Sequence, residues 1–402
     1  MIPVPRLRIR RCAPPPLAIL ATLALAGSAL AAAWTPNFSV AQGAWEAHDL
    51  SAAGGYVVAA WDGYLTANPP EGATSEVWVR ESADSGSTWL PPVRLAADPA
   101  SLATSISVTS DGASRAHFAV WSEDIAGGGS RIFLSQKTFG VGSWSTPVQV
   151  STNTGSTDAW DPSIAATPAY LFVAYTRVPA SGDPYTGFIR IFNRSTATWA
   201  PATNLGSGDV VRLAATSSRV YAVWSNGVVR VRRGAIGSGA AAPAISWSTS
   251  SLGSGQDPII AVSGSRGVVV YDKGRSVLTR RTTNSGASWL PATKVLDART
   301  NASNRYFPVD AAKSGSKIVA TAEFDHEVGE ETGNPPGHTL RITSSNGGAS
   351  WAISPPVYGR RGDHREVAYT TNPSTGLKTI AELWDNSSSG TNTWKVLFHR
   401  SR

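Results

Sequence analysis

Three strand-like sequence patterns recur in a fixed order through residues 34–402 of this 402-residue chain, and each of them occurs seven times. One is an unbroken apolar run, one alternates apolar and polar residues, and one is a Trp followed by a short segment that often contains Pro. The repeat length of about 53 residues is typical of one small β-sheet per repeat. Such a repeat cannot bury its apolar faces alone, so successive copies have to stack on one another.

Each pattern predicts a different place in the repeat. The apolar runs predict strands buried on both faces, and the alternating segments predict strands nearer the rim with one wetter face. The segments after Trp predict outermost strands, where Pro is tolerated because one edge is unpaired. In that order, the three sets are 57–61, 117–121, 171–175, 220–224, 267–271, 318–324 and 379–384; 76–80, 131–134, 188–192, 228–232, 276–280, 339–342 and 395–398; and the segments beginning at Trp34, Trp89, Trp144, Trp199, Trp247, Trp289 and Trp351.

The order of the patterns also predicts how the repeats close into a ring. The series begins with an outermost segment at Trp34 and ends with an alternating segment at residues 395–398, so the last repeat lacks its outer strand. Residues 34–40 are available to complete it and to remove the open edge. We therefore predict an all-β protein, a seven-bladed β-propeller with four-stranded antiparallel blades, whose last blade is completed by the N-terminal strand.

Residues 1–33 have the pattern of a secretory signal peptide. Four Arg residues precede an apolar run over residues 17–30, and three Ala residues end the segment, so cleavage is expected before Trp34. An uncut membrane anchor is the alternative, although it needs about 20 apolar residues. We predict an exported protein, either secreted or held in the periplasm or at the cell surface, with residues 34–402 as one propeller domain.

Charge and Cys content exclude several classes of function. The net charge of +7 falls to +3 when residues 1–33 and their four Arg are removed, so nucleic acid is not an expected partner. The single Cys excludes a disulfide framework and a Cys-based zinc site. The His and Glu residues within 326–338 match no ligand spacing, and we expect a solvated acidic loop there, with no metal. We also expect no cofactor, no membrane span after signal cleavage, and a monomer.

An eight-residue turn motif, which we call the octet, ends at three of the Trp residues. The copy at residues 82–89 reads Ser-Ala-Asp-Ser-Gly-Ser-Thr-Trp, and the copies at 282–289 and 344–351 carry Asn in place of Asp. The Asp or Asn oxygen is expected to accept backbone N–H groups across the turn, and the Gly to permit positive φ. The predicted structural residues are Ser82, Asp84, Gly86, Thr88 and Trp89, then Asn284, Gly286 and Trp289, then Asn346, Gly348 and Trp351.

The octet resembles the Asp box, or BNR repeat, of sialidase-like β-propellers, and the accompanying strand pattern extends this resemblance over residues 34–402. The resemblance implies the propeller fold and a structural role for the octets, which in that family lie away from the channel mouth. It also implies a possible glycosidase activity. Sialidases of this fold use three Arg on the substrate carboxylate, an acid/base Asp, and a Tyr nucleophile activated by a Glu.

One face of the predicted propeller is favoured for function. The turns between the first and second strands are short, whereas the opposite face receives long connections such as residues 62–75 and 325–337. Long loops on a rigid scaffold are where ligands usually bind. The same face receives the segments that lead into the innermost strands, at residues 46–49, 158–162, 208–209, 256–258, 304–308 and 360–366.

These segments supply the candidate site residues. Paired carboxylates across the channel mouth would provide an acid and a base or nucleophile, Arg would hold an acidic sugar, and an aromatic ring would stack on one. The alternative is that each Asp accepts backbone hydrogen bonds and is structural. The candidate catalytic residues are Asp161, Asp209, Asp257, Asp363, Tyr306 and Glu366, and the candidate ligand-binding residues are Arg305, Arg361, Arg365, His48, Trp160 and Tyr64.

Two departures from the sialidase pattern bear on activity. The chain lacks the Phe/Tyr-Arg-Ile-Pro segment that supplies the first Arg of that family, its nearest piece being residues 305–308, and sialidases have six blades rather than seven. We therefore predict binding of a carbohydrate or an extracellular protein at one mouth of the channel. The alternatives are a glycoside hydrolase, either exo-sialidase-like or using a pair of channel carboxylates, and a structural assembly propeller.

Overall fold

A computed structural model describes residues 38–42, 44–63, 75–181, 184–237, 245–297, 304–326, 339–354, 366–371, 378–387 and 394–400. Contacts divide the chain into two compact units, Met1–Ala33 and Trp34–Arg402, and all the described strands belong to the second. Over these residues the regular secondary structure is β-strand throughout, and no helix has the length and apolar character needed to cross a membrane.

The described strands form seven antiparallel sheets, which we number as blades 1 to 7 in chain order. From the innermost strand outwards, blade 1 contains β2 (Ala44–Ala53), β3 (Tyr56–Gly63), β4 (Glu76–Ser82) and β5 (Val93–Leu95); blade 2 contains β6 (Ala103–Asp111), β7 (Ala116–Asp124), β8 (Ser130–Thr138) and β9 (Val148–Gln149); blade 3 contains β10 (Asp158–Ala166), β11 (Tyr170–Val178), β12 (Thr186–Asn193), β13 (Thr198–Trp199) and β14 (Thr203–Ser207); and blade 4 contains β15 (Asp209–Thr216), β16 (Arg219–Ser225), β17 (Val228–Ala235) and β18 (Trp247–Ser254). Blade 5 contains β19 (Gln256–Ser263), β20 (Arg266–Lys273), β21 (Ser276–Thr282) and β22 (Thr293–Asp297); blade 6 contains β23 (Asn304–Ser314), β24 (Lys317–His326), β25 (Thr339–Ser344) and β26 (Ala352–Ser354); and blade 7 contains β27 (Glu366–Thr371), β28 (Lys378–Ser387), β29 (Trp394–Arg400) and β1 (Phe38–Gln42).

Blade 3 departs from the four-stranded pattern that the other six described sheets share. Its outer strand is broken into β13 and β14, and both pieces pair with β12. Pro201 lies between the two pieces, and because Pro has no N–H to donate to the ladder, continuous pairing stops there. The prediction of four strands in every blade is corrected at this one blade.

The blades close into a ring, which makes the fold a β-propeller. Each innermost strand packs against the innermost strand of the next blade, and β27 of blade 7 packs against β2 of blade 1. The second strands are almost wholly buried, as β3 and β7 show, because a blade covers each of their faces. Apolar clusters fill the seams between blades, and the one between blades 7 and 1 includes Trp61, Leu383 and Phe398.

The N-terminal strand completes blade 7. Residues of β1 pair with β29 in antiparallel register, from Phe38 opposite Phe398 to Gln42 opposite Lys395. Val40 is buried in the seam between blades 7 and 1, and its carbonyl accepts a 2.9 Å hydrogen bond from Nη1 of Arg80 in blade 1. The described strand begins at Phe38, so residues 34–37 of the predicted segment lie outside the described part of the chain.

The three octets adopt one hydrogen-bonded turn. The hydroxyl of the first octet residue donates to the side-chain oxygen of the third and accepts from the N–H of the fifth, and the third residue's oxygen accepts from the N–H of the seventh. Distances for the three bonds are 2.8, 2.8 and 2.8 Å in blade 1; 2.9, 2.9 and 3.0 Å in blade 5; and 3.0, 2.9 and 2.9 Å in blade 6. Asp and Asn therefore fill the same place in the turn.

The octets lie on the face that carries the turns between first and second strands, which we call the short-turn face. In each octet the fourth residue donates its N–H to a carbonyl in that turn of its own blade, as Ser285 does to Ser265 at 2.7 Å. The Trp that ends each octet packs against the preceding blade, and Trp89 meets the Phe398 ring edge-on at 4.9 Å. We call the opposite side of the propeller the long-loop face.

Candidate functional site

The innermost strands surround a central cavity of 990 Å³. Each of these strands starts at the long-loop face and runs towards the short-turn face, so the predicted segments lie at the start of the channel. Four of the candidate catalytic residues, Asp161, Asp209, Asp257 and Glu366, line this one cavity. The tertiary structure thus brings together residues that are separated by up to 205 positions in the sequence.

The other candidates have different places. Trp160 is 40% exposed on β10 and does not line the cavity. Tyr306 packs against the apolar cluster between blades 5 and 6, and burial raises its pKa. The side chains of His48 and Arg305 lie outside the described part of the structure, as do the whole of Tyr64, Arg361, Asp363 and Arg365.

A break in strand register aims side chains into the channel. Pairing between first and second strands shifts at the same level in blades 1 to 6, for example between Trp160 and Ser163 and between Gln256 and Ile259. Asp161 and Asp257 occupy these bulges with φ of 48° and 44°. A bulge places two residues opposite one and redirects a side chain, which accounts for the position of both carboxylates at the cavity wall.

Four further charged residues line the cavity, and none of them was a predicted site residue: Asp49, Arg212 and Asp310 lie at or next to the bulges, and Lys313 lies nearer the short-turn face. Asp49, Asp310 and Arg212 come from blades 1, 6 and 4, and they interact electrostatically with Glu366 of blade 7. Glu366 is 9% exposed, and its carboxyl group hydrogen-bonds the Asp310 carboxylate. Asp49 stands in the predicted segment 46–49, but the residue types around it did not distinguish it from a structural Asp.

Burial and mutual repulsion control the protonation of these carboxyls. Burial, followed by the negative charges of Asp310 and Asp49, raises the pKa of Glu366 well above its usual value. Burial, followed by Asp310, raises the pKa of Asp49 to about 6. Burial raises the pKa of Asp310 too, although hydrogen bonds from two backbone N–H groups oppose the shift. The hydrogen bond between the two side chains raises the pKa of Glu366 and lowers that of Asp310, so Glu366 is the donor of the pair.

Two of these carboxylates also hold blades together. Asp49 Oδ2 accepts hydrogen bonds of 2.7 Å from Ser107 Oγ and from the N–H of Val108 in blade 2. Asp310 Oδ2 accepts from the N–H of Val367 in blade 7 at 2.9 Å. A structural role was the alternative predicted for the Asp residues of the channel. Asp49 and Asp310 have that role, although neither was a predicted site residue.

Groups of three or more His, Cys, Asp or Glu side chains suited to a metal ion do not occur among the described residues. The cavity presents carboxyls, hydroxyls, Arg212 and Lys313 as donors and acceptors of hydrogen bonds. Glu366, whose pKa is raised, and the carboxyls of Asp49 and Asp310 line one space together with Arg212 and Lys313.

Comparisons with known proteins found similar structures. No family model matches the chain, and no curated protein matches it. An α-L-arabinanase of Penicillium chrysogenum is similar at 13% identity and a TM-score of 0.47, over 90% of this chain and 98% of that chain. The NanB sialidase of Streptococcus pneumoniae is similar at 11% identity and a TM-score of 0.45, over 90% and 69%. A sialidase of Trypanosoma rangeli is similar at 11% and 0.43, over 88% and 54%.

Proposed function

We propose that this propeller binds a carbohydrate in its central cavity. The observation that carries the proposal is the cluster of Glu366, Asp310, Asp49 and Arg212 in the wall of one 990 Å³ space. That volume lies within the range of about 300–1,000 Å³ that holds small ligands. Asp161, Asp209 and Asp257 of blades 3, 4 and 5 line the same cavity where the innermost strands begin.

The chemistry of the cluster suits sugar hydroxyls, which need both hydrogen-bond donors and acceptors. Protonated Glu366 and the guanidinium of Arg212 donate, whereas Asp310 and Asp49 accept. Hydrogen bonds to charged groups are stronger than those between neutral groups, so this wall can compete with water for a polar ligand. A purely apolar ligand would leave these groups unpaired, which argues against a lipid-like occupant.

Glycoside hydrolysis is the second candidate function, and the protonation of the cluster favours it specifically. Hydrolysis of a glycosidic bond needs one carboxylic acid to protonate the leaving oxygen and one carboxylate to activate water or attack the sugar. Glu366 would be the acid, and Asp49 or Asp310 the carboxylate. The pKa of Glu366 is raised well above its usual value and that of Asp49 to about 6, and such unequal environments are what an acid and a neighbouring carboxylate of this kind need.

The test separates binding from hydrolysis with matched variants. Glycan binding to residues 34–402 is measured by calorimetry against neutral, amino and acidic oligosaccharides, and turnover is measured with the corresponding fluorogenic glycosides. Arg212→Gln is expected to weaken binding by about tenfold because it removes a charged donor. Asp297→Asn, a surface ion-pair carboxylate at the end of β22, is the control and is expected to leave affinity unchanged.

Glu366→Gln keeps a donor to Asp310 but cannot release a proton. Retained binding without turnover in any variant supports a binding protein, whereas turnover in the unaltered protein that Glu366→Gln abolishes while binding persists establishes the hydrolase instead. Equal affinity of Arg212→Gln and the unaltered protein would show that the cavity is not the site.

We also propose that residues 1–33 direct export and are removed. The proposal rests on the pattern of Arg residues, apolar run and terminal Ala residues in that segment. Mass spectrometry of the protein recovered outside the cytoplasm of its host is expected to find Trp34 at the N-terminus. Recovery of the uncut chain in the membrane fraction would identify an anchor instead.

A further inference from the structure

Two pairs of Arg occupy equivalent positions in blades 4 and 5. Arg219 begins β16 and Arg233 lies opposite Tyr221 on β17, two residues along. Arg266 begins β20 and Arg281 lies opposite Val268 on β21. Within each pair, the two side chains are therefore diagonal neighbours on one face of the sheet, within reach of a shared ligand. Both pairs lie at the short-turn face, away from the channel mouth at the long-loop face.

Each pair lies against the octet of the following blade. Arg233 Nη1 donates to the carbonyl of Ser285 at 3.3 Å. Nη1 of Arg266 lies 3.7 Å from where a Cβ on Gly347 would be, and Cδ of Arg281 lies 3.8 Å from the corresponding point on Gly348. The octets next to Arg pairs are the two that carry Asn, whereas the octet with Asp84 lies against Thr370 and Phe398, which are uncharged.

Within the described part of the chain, no carboxylate balances the charge of the two Arg pairs. Over the described residues, none of the four Arg forms an ion pair with a carboxylate, and their recorded partners are backbone carbonyls and one Ser hydroxyl. In blades 4 and 5, the described acids lie at the ends of their strands that face the long-loop side of the propeller. They are Asp209, Asp257, Asp272 and Asp297.

The positive surface continues into blade 6. Lys313 near the end of β23 is close enough to Arg266 that burial and then this positive charge lower the pKa of Lys313. Lys317 begins β24 on the same face. Like charges held together by the fold raise its energy unless an anion neutralises them, and the two octets that the pairs contact carry an uncharged Asn where the blade 1 octet carries Asp84.

We infer that the short-turn face binds an acidic polysaccharide across blades 4 to 6, with Arg219/Arg233 and Arg266/Arg281 as adjacent sites for its anionic groups. Equivalent positions one blade apart suit a polymer with repeated charges, and the planar guanidinium is matched to carboxylate and sulfate oxygens. Single-stranded nucleic acid is less suited because base stacking needs exposed rings, and the one large aromatic exposed by more than a third in the described chain is Trp160 of blade 3.

The first test compares matched charge variants in residues 34–402. Binding of dextran sulfate and polygalacturonate, with neutral dextran as the uncharged comparison, is measured at low and high ionic strength. Arg219→Gln/Arg233→Gln and Arg266→Gln/Arg281→Gln are each expected to weaken binding by about tenfold at low ionic strength. Lys273→Gln/Arg275→Gln removes two charges from the other end of blade 5 and is expected to change affinity by less than about twofold.

The second test leaves every Arg in place. Asn284→Asp/Asn346→Asp adds a carboxylate beside each pair in a turn that accepts Asp in blade 1, so the fold is expected to be retained or stabilised. Polysaccharide binding is expected to fall nonetheless, because the carboxylates neutralise the pairs. Any of three results would overturn the inference. The first is an equal loss of polysaccharide binding in the Lys273→Gln/Arg275→Gln control, and the second is undiminished polysaccharide binding in the Asn284→Asp/Asn346→Asp variant. The third is tighter binding of single-stranded oligonucleotides or anionic lipid vesicles than of the acidic polysaccharides.

Discussion

Asp49 shows how position in the ring changes the chemistry of a single residue. An Asp on the surface of a protein is ionised above about pH 4, but Asp49 interacts with Asp310 and Glu366 of blades 6 and 7, and Arg212 is the cation that acts on Glu366 and Asp310. Its carboxylate also accepts bonds from blade 2. The same side chain therefore joins two blades and belongs to the candidate site, so a substitution affects both stability and binding.

The first prediction concerns the pH dependence of stability. The pKa of Asp49 is raised to about 6 in the folded protein, so its contribution is fully present below the unfolded pKa and is lost as pH rises through about 6. The loss is expected to be on the order of 2 kcal/mol between about pH 4.5 and about pH 7.5. Asp49→Asn is expected to remove this part of the dependence, as measured by urea unfolding.

The comparison has to be made between the protein and its variant, because other groups titrate in the same interval. Burial, followed by the charge of Lys137, lowers the pKa of His117 to about 4, so His117 adds stability that is lost as pH falls. This contribution has the opposite sign and is common to both proteins. Parallel stability profiles for the protein and Asp49→Asn would contradict the prediction.

At the scale of the element, the three octets share one turn geometry but differ in how closely other side chains pack around the Gly. The fifth residue is Gly in each copy, with φ of 83° at Gly86, 74° at Gly286 and 84° at Gly348. An added Cβ would lie 2.1 Å from Phe398 Cε1 in blade 1, 2.9 Å from Tyr221 Cε1 in blade 5, and 3.4 Å from Trp351 Cζ2 in blade 6. The backbone requirement is thus constant while the packing requirement varies.

This gradation predicts an ordered series of Gly→Ala variants. Gly348→Ala is expected to cost about 1–2 kcal/mol of unfolding free energy, which is the cost of positive φ alone. Gly286→Ala is expected to cost more, and Gly86→Ala the most, at about 3–5 kcal/mol, because Phe398 is fully buried and cannot move aside easily. Chemical denaturation of the three variants measures the order, and equal costs would show that packing of the octet against the preceding blade contributes little.

At the scale of the whole molecule, stability depends on closing the ring. Blade 7 takes three strands from the C-terminal end of the chain and β1 from its N-terminal part, so the two distant segments share one sheet. Arg80 then ties β1 to blade 1, since its side chain donates to the carbonyls of both Val40 and Leu90. An open ring would expose the β29 edge and the apolar seam between blades 7 and 1.

Truncation tests the closure. Deletion of residues 1–42 is expected to lower the free energy of unfolding by more than about 3 kcal/mol, because it exposes the seam that Val40 and Phe398 fill and leaves the outer edge of β29 unpaired. Deletion of residues 1–33 is the control and retains all of β1. Thermal and urea unfolding of the two proteins measure the difference, and equal stability would show that blade 7 does not need its N-terminal strand.

Several features could be predicted from sequence because they repeat. The three strand patterns recur seven times in one order, so the blade pattern followed from them, and the outer segment at the start of the series predicted the use of an N-terminal strand in blade 7. The break at Pro201 was not predicted, since Pro is acceptable in an outer strand. The position of Asp161, Asp209, Asp257 and Glu366 at the channel could be predicted because they stand where innermost strands begin, whereas their role as site residues stays a prediction.

The sequence by itself determined the type of strand at each position and the order in which strands join a blade, because burial on one or both faces leaves a local pattern. Only the tertiary structure decided which charges meet. Asp49, Arg212 and Asp310 are brought together by ring closure, and the bulges set which side chains face the channel. The Arg pairs likewise become a surface only when the octet of the next blade is placed beside them. Electrostatic interactions depend on distance in space, and no local pattern in the chain records it.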